Sequence, residues 1–361
     1  MTIRHRAADC QGQAGNGWYT GHVATIKDVA RRAGVSPTTA KRAVREPDLL
    51  ADGTLRRVRQ AIDELGYVPD AVAGALRRGR TQTVGLVVGN ILEPFFTQLT
   101  RTISKRLHQE GYSLLVADNE YRTDLELDAL QMLHSQRAAG IILRSGYGEP
   151  NLGYLQRLRT MGTAVVELDY HYPNSPFSWV MLDNVAAVEQ AVKHMAGFGH
   201  RRIAALGSYD PERNPEDRSL SFERAMAEVG LRVRPEYRRV IPLTEIEAYR
   251  LTRDLLALPE PPTAILSLTG SQGAGAYRAI REAGMSVPGD VSLVTFDNYS
   301  WTQLVEPQID VIEQPVDAMA LASVEILFEL MDGPKRPAAP LRRVFPARLV
   351  TRGSCAPPAE R

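Results

Sequence analysis

The sequence predicts a small all-α head followed by a larger α/β body of two lobes. Three observations carry this reading. Two short helical patterns near the N-terminus are separated by a tight glycine turn, strand and helix patterns alternate from Thr83 onward, and the head carries its own charge. At 361 residues the chain exceeds one typical domain, and 44% hydrophobic residues is ordinary for a globular protein. Residues 25–80 hold twelve Lys/Arg against seven Asp/Glu, a net +5. The first 24 residues add +1 and the whole chain is +1, so the remainder carries −5. A basic head on an acidic body is the asymmetry expected when only the head meets a polyanion.

In "TIKDVARRAG", Thr25 and Asp28 form a capping box with Asp in place of the usual Glu or Gln. Ile26, Val29, Ala30 and Ala33 recur at helical spacing and Gly34 ends the helix. "VSPTTAKRAV" restarts at once, with Ser36 as N-cap and Pro37 at the first helical position. Two helices joined by so short a turn make a helix-turn-helix. A third helix, "TLRRVRQAIDELG", is expected to bury Leu55, Val58, Ile62 and Leu65. With Ala40 and Val44 facing the other helices, Thr38, Lys41, Arg42 and Arg45 face outward, beside Pro37 at the helix N-terminus. Such a face suits the DNA major groove: Lys41 and Arg42 fit guanine edges, and threonine hydroxyls fit phosphates or bases. A solvated basic helix is the plainer alternative.

"AVAGALRRGR", Ala71 to Arg80, reads as a linker, since Gly74 makes it a poor autonomous helix. Beyond it, "VGLVVG", "YSLLVAD", "GIILR" and "AVVELD" are strands with helices between them. After Asp183 the rhythm resumes with strands "RIAALG", "RRVIPL", "TAILSL" and "VSLVTF". Two such runs imply two parallel sheets flanked by helices, with a ligand site at the strand C-termini in the cleft between the lobes. Two features mislead. "GSQGAG" (270–275) opens a helix after a strand, but its glycine order is not the dinucleotide fingerprint and no Lys-Ser/Thr makes it a phosphate loop. His194 and His200 are poorly spaced for shared metal ligation and read as structural or exposed. Cys10 and Cys355 lie in polar terminal segments and form neither a disulfide framework nor a metal site, which fits a reducing cytoplasm. No stretch approaches the ~18 apolar residues of a membrane span. No metal cluster or Ser-His-Asp arrangement stands out, so neither a catalytic residue nor a cofactor is expected.

Taken together, "TIKDVARRAGVSPTTAKRAV", "LGYVPD", "VGLVVGNILEPFF", "VMLDN", "GHRRIAALG", "VPGDVSLVTFDN" and "LVTRGS" resemble the LacI/GalR family of bacterial transcription regulators. The resemblance runs from Thr25 to Ser354. It implies a helix-turn-helix DNA-binding head on a periplasmic-binding-protein-like effector body, acting as a homodimer, or a tetramer built from it, on double-stranded operator DNA. The implied organisation is a disordered tail (1–24), the DNA-binding domain (25–69), a hinge (70–80), the effector-binding and dimerisation body (81–354) and a tail (355–361). Pro37, Thr38 and Arg42 match base-reading positions, with Lys41 where serine is usual. Thr25, Ser36 and Thr54 match phosphate contacts, and Ala73 and Leu76 match the hinge that enters the minor groove. In the body, Phe95, Phe96, Asp169, Arg218, Thr269, Asp297 and Gln314 match effector-binding positions. Departures are Asp70 and Gly74 at the hinge, Glu93 for asparagine, Ser221 for glycine, and Thr269-Gly270 for Asn-Asp. An arginine with two carboxylates suits a neutral sugar or polyol better than a phosphosugar or nucleobase. The rival readings are a cytoplasmic solute-binding protein, a regulator dependent on a corepressor, and, more distantly, a sugar-handling enzyme.

Overall fold

A computed structural model describes residues 24–67, 81–147, 150–207, 218–237, 244–332 and 339–359. The linker with Ala73 and Leu76, residues 1–23 and the strand expected at Arg238–Leu243 lie outside the described residues. The chain divides into two compact units, one on each side of residues 68–80.

The first unit contains helices α1 (Ile26–Ala33), α2 (Pro37–Arg45) and α3 (Asp52–Leu65), with a short 3₁₀ turn at Pro47–Leu49. Thr25 donates its N–H (3.0 Å) and Oγ1 (2.6 Å) to the Asp28 carboxylate, so the acid at the third position satisfies the start of α1. Gly34 closes α1 at φ +65°, a left-handed conformation that glycine adopts without the Cβ penalty. Ser36 then caps α2, accepting from the Thr39 N–H at 3.0 Å. The core is built from Val29, Ala33, Ala43, Val58 and Ala61. Leu55, Ile62 and Leu65 pack at its edge and are only partly buried, contrary to expectation. So small a unit has too little interior to enclose them.

The second unit has two lobes. Lobe 1 is a six-stranded sheet of β1 (Thr83–Val88), β2 (Ser113–Asp118), β3 (Gly140–Leu143), β4 (Ala164–Leu168), β5 (Ser178–Leu182) and β10 (Arg342–Phe345), ordered β10-β5-β4-β3-β1-β2 and parallel throughout. Lobe 2 is a five-stranded sheet of β6 (Ile203–Leu206), β7 (Ala264–Ser267), β8 (Ser292–Phe296), β9 (Asp310–Glu313) and β11 (Arg348–Val350), ordered β11-β9-β8-β7-β6, with only β11 antiparallel. The helices are α4 (Pro94–Gln109), α5 (Thr123–Ser135), α6 (Leu152–Thr160), α7 (Asn184–Gly197), α8 (Arg218–Glu228), α9 (Glu245–Leu256), α10 (Gly270–Glu282), α11 (Trp301–Leu304) and α12 (Val316–Asp332). The chain passes between the lobes three times: between β5 and α7, between β9 and α12, and between β10 and β11. Helix α12 returns to pack on α4 and the lobe 1 sheet.

The glycines of "GSQGAG" serve packing. A Cβ on Gly270 would lie 2.3 Å from the Tyr299 ring, one on Gly273 2.3 Å from Thr295 Oγ1, and one on Gly275 2.2 Å from the Glu245 carbonyl oxygen. The last contact is backbone and cannot rotate away, so Gly275 sets how closely α9 and α10 approach. Gly275→Ala is expected to destabilise the body by about 1–3 kcal/mol, read as a lower unfolding midpoint in denaturant; an unchanged midpoint would contradict this packing.

The C-terminal segment departs from the expected polar tail. Ser354 and Cys355 are buried, and backbone bonds tie Ala356 to Ser292 Oγ and Leu293 to Ser354. Asp310 is the fastening point, accepting from the N–H groups of Arg352 (2.7 Å), Gly353 (2.8 Å) and Ser354 (3.2 Å) and facing His194 Nε2 at 2.9 Å. His194, Asp310 and Cys355 form a group with metal-type donors. Its carboxylate is already committed to four donors, and burial pushes the Cys355 thiol up to about 11, away from the thiolate a metal needs. His200 is buried between Thr263 Oγ1 and Ser292 Oγ, each at 2.9 Å. Both histidines are structural.

Candidate functional site

In the first unit, α2 places Ser36, Pro37, Thr38 and Arg42 in solvent, while Ala40 and Ala43 are buried. Lys41 and Val44 are each half-buried, so Lys41 is less outward than its spacing implies. The side chain of Arg45 lies outside the described residues. Arg31 and Arg32 are paired with Asp28 and Glu64. Among the described residues, neither Lys41 nor Arg42 has such a partner. Cationic groups left unpaired along the middle of α2 are free to meet phosphate or base edges. Of the three residues expected at phosphates, the Thr25 hydroxyl is held by Asp28, the Ser36 hydroxyl caps α2, and Thr54 sits half-buried in the first turn of α3.

In the second unit, all seven sequence-selected body residues line one cavity of about 110 Å³ between the lobes. Asp169 ends β4 and Asp297 ends β8, and both take φ +68°. Each donates its N–H to the neighbouring strand, Asp169 to Val180 (3.0 Å) and Asp297 to Ile312 (2.9 Å). The same left-handed turn therefore delivers one carboxylate from each sheet to the cavity, a strained conformation of the kind that functional sites retain. Asp297 accepts from Gln314 Nε2 (2.6 Å) and the Gly270 N–H (3.0 Å). Burial raises its pKa, against the opposing pull of Arg218, Gln314 and Gly270.

Arg218 opens α8 and holds the crossovers. Its Nε donates to Asn184 Oδ1 (2.8 Å), Nη1 to the Leu268 carbonyl (2.7 Å) and Nη2 to Gln314 Oε1 (3.3 Å), with the guanidinium 4.1 Å from the Phe296 ring centroid. Asn184 lies on the first crossover and Gln314 on the second, so a single side chain senses both. Thr269 caps α10 and lines the cavity. Phe95 and Phe96 serve two purposes: they are 6% and 4% exposed, pack in the lobe 1 core, and still face the cavity.

Sequence reasoning missed part of the wall. Arg144, after β3, is buried against Tyr121, Tyr147 and Tyr170, 4.6, 4.3 and 4.9 Å from their ring centroids, and lies 3.6 Å from Asp169. Glu93 bridges the lobes, its carboxylate accepting from Ser271 Oγ (2.8 Å) and facing Tyr299 Oη at 3.2 Å. Burial raises the Glu93 pKa, and the Asp297 charge adds to the rise.

A helix-turn-helix unit and a two-lobed body with a polar, aromatic-walled cleft define a DNA-binding protein with a small-molecule site. Residues 25–70 match the bacterial regulatory proteins of the lacI family, and residues 192–355 match a periplasmic binding protein-like domain. The transcriptional repressor PurR of Photobacterium profundum is 29% identical over 312 residues, spanning 85% of this chain and 92% of that protein. The transcriptional repressor CytR of Escherichia coli (strain K12) is 28% identical over 333 residues, spanning 92% and 96%. Among solved structures, the complex of the transcriptional regulator CelR with cellobiose aligns with TM-score 0.67 at 26% identity, over 92% of this chain and 99% of that one. The lac repressor dimer bound to operator and the anti-inducer ONPF shares the fold with TM-score 0.79 at 23% identity, over 93% and 100%. The chain combines a lacI-family DNA-binding domain with a periplasmic binding protein-like domain. It is a DNA-binding transcriptional regulator and not an enzyme; the solute-binding alternative finds no support in these relatives.

Proposed function

We propose that the protein is a homodimeric cytoplasmic repressor whose operator affinity is set by a neutral polyhydroxylated metabolite, a sugar or polyol, bound between the lobes. The observation that carries this reading is the convergence of Asp169, Asp297, Arg218, Gln314, Thr269, Phe95 and Phe96 on one cavity from distant parts of the chain. Carboxylates accept from ligand hydroxyls, the arginine donates to ring and hydroxyl oxygens, and aromatic rings cover the apolar face of a sugar. Arg144 and Arg218 are set against Asp169, Asp297 and Glu93, so the wall carries no cationic excess to favour an anion. A panel of pentoses, hexoses, polyols, sugar phosphates and nucleosides tested by thermal shift is expected to return a neutral polyol as the stabilising class. Stabilisation by sugar phosphates or nucleosides alone would overturn it.

On DNA, Pro37, Thr38, Lys41 and Arg42 read bases, and Thr25, Ser36 and Thr54 contact phosphates. Arg42→Ala is expected to weaken specific operator binding by about 1–3 kcal/mol while changing binding to random DNA much less. Equal losses on both DNAs in a mobility-shift assay would make Arg42 a phosphate contact instead.

A further inference from the structure

Behind the lobe 1 wall lies a pair of buried carboxylates that the site as described does not use. Glu167 stands within the apolar strand β4 and Glu126 within α5, and both are 0% exposed. Glu126 accepts from the Gly146 N–H (2.6 Å), Tyr172 Oη (2.7 Å) and Asn151 Nδ2 (2.9 Å). Glu167 accepts from Ser145 Oγ (3.1 Å), the Tyr172 N–H (3.2 Å) and Ser175 Oγ. The segment 145–147 carries Tyr147 into the cleft, and the segment after β4 carries Asp169 and Tyr170. Both segments therefore hang on the same two acids, and Tyr172 links the acids by giving its hydroxyl to one and its N–H to the other.

We propose that Glu167 is a proton-linked positioning residue for the effector cleft: protonated, it holds the 145–147 and 169–175 segments closed, and ionised, it loosens them. The inference rests on reading the cleft as the effector site. Its physical basis is that closing these segments removes Glu167 from water, whereas opening them returns it. The charged or titratable groups facing Glu167 are Glu126 from α5, whose like charge opposes ionisation, and Tyr172; Arg144, beyond Glu126, acts on Glu126. The remaining partners, Ser145 and Ser175, are neutral hydroxyls.

The direction follows from linkage. Burial raises the Glu167 pKa from 4.5 to about 7, with Ser175, Tyr172 and Ser145 opposing the rise. The closed form thus binds the proton more tightly than the open one. Closure is favoured at low pH and is lost as pH rises through about 7. A neutral amide reproduces the protonated acid in shape and in having both a donor and an acceptor, so Glu167→Gln should stay closed throughout.

Hydrogen exchange of the full chain, corrected for intrinsic rates and read at 145–147 and 169–175, tests this without any effector. Opening of both segments is expected to rise roughly tenfold between about pH 6 and about pH 8 in the wild type. No such rise is expected in Glu167→Gln or in the lobe 2 helix α9 (Glu245–Leu256), which lies away from the cleft carboxylates. Ser175→Ala, which removes a hydroxyl that favours the ionised form, should move the midpoint to higher pH and carries the test alone if the glutamine variant does not fold. A flat wild-type profile, a rise that survives in Glu167→Gln, an unmoved midpoint in Ser175→Ala, or a parallel rise in lobe 2 would each overturn the proposal. None of these outcomes bears on which ligand the cleft takes.

Discussion

Arg218→Ala is expected to abolish the effector's influence on operator binding, lowering effector affinity by about a hundredfold or more. The side chain donates three hydrogen bonds, two of them to Asn184 and Gln314 on separate crossovers between the lobes. A ligand oxygen that draws on the same guanidinium competes with or completes this network, and that is a direct way for occupancy to alter lobe geometry. Hydrogen bonds to a charged group in a buried site contribute about 1.5–3 kcal/mol each, so loss of two reaches the stated range. Lysine should not rescue, since one ammonium cannot reproduce a planar fork reaching three acceptors. The measurement is release of a labelled operator as the identified ligand is titrated; a full response from the alanine variant would remove Arg218 from the effector site.

Asp310→Ala should lower the stability of the body by about 2–3 kcal/mol, because it removes a buried, charged acceptor from four donors, of which the Ser354 N–H is buried. Three consecutive backbone N–H groups, from Arg352, Gly353 and Ser354, point at one carboxylate oxygen, and His194 faces the other. Alanine leaves the buried Ser354 N–H without an acceptor and removes the acceptor of the less buried Arg352 and Gly353 N–H groups and of His194. Burial alone would raise the pKa of this group, but His194 and the three N–H groups together hold it below its usual 3.8. Its contribution is therefore present above about pH 4 and lost as pH falls through the depressed value. Calorimetry of the two proteins at neutral and acid pH should show the gap in unfolding temperature narrowing on acidification. A gap that is absent at neutral pH would mean that the C-terminal segment is held by something else.

Much of the fold was legible in local pattern. The capping box at Thr25, the cap at Ser36 and the stop at Gly34 are short-range chemistry, and they appear where the residues place them. The cleft residues were legible through the resemblance to the LacI/GalR family, which matched Asp169 and Asp297 to effector-binding positions; their place at strand ends, where parallel sheets bind ligands, agrees with it. What stayed hidden depends on long-range assembly. Arg144 reads as the polar end of a strand until Tyr121, Tyr147 and Tyr170 come from three separate loops to surround it. Strand β5 and the elements after Trp301 break the simple alternation, because the chain crosses between lobes there and α12 serves the sheet it had already left. Cys355 looked like part of a polar tail, since nothing local announces that Asp310 will capture the preceding turn. Glu167 did leave a trace: a glutamate inside "AVVELD" is out of place in a strand buried on both faces.

Sequence-specific DNA binding through α2 is expected to be controlled by the cleft. Its most direct test is selection of bound sites from random duplexes by the full chain, followed by affinity measurement on the selected site at fixed salt. The expected result is a palindromic site bound with Kd on the order of 10⁻⁸ M or tighter, at least about a thousandfold better than random DNA, with that preference reduced in Arg42→Ala. Recovery of no common sequence, or equal affinity for selected and random duplexes, would contradict it.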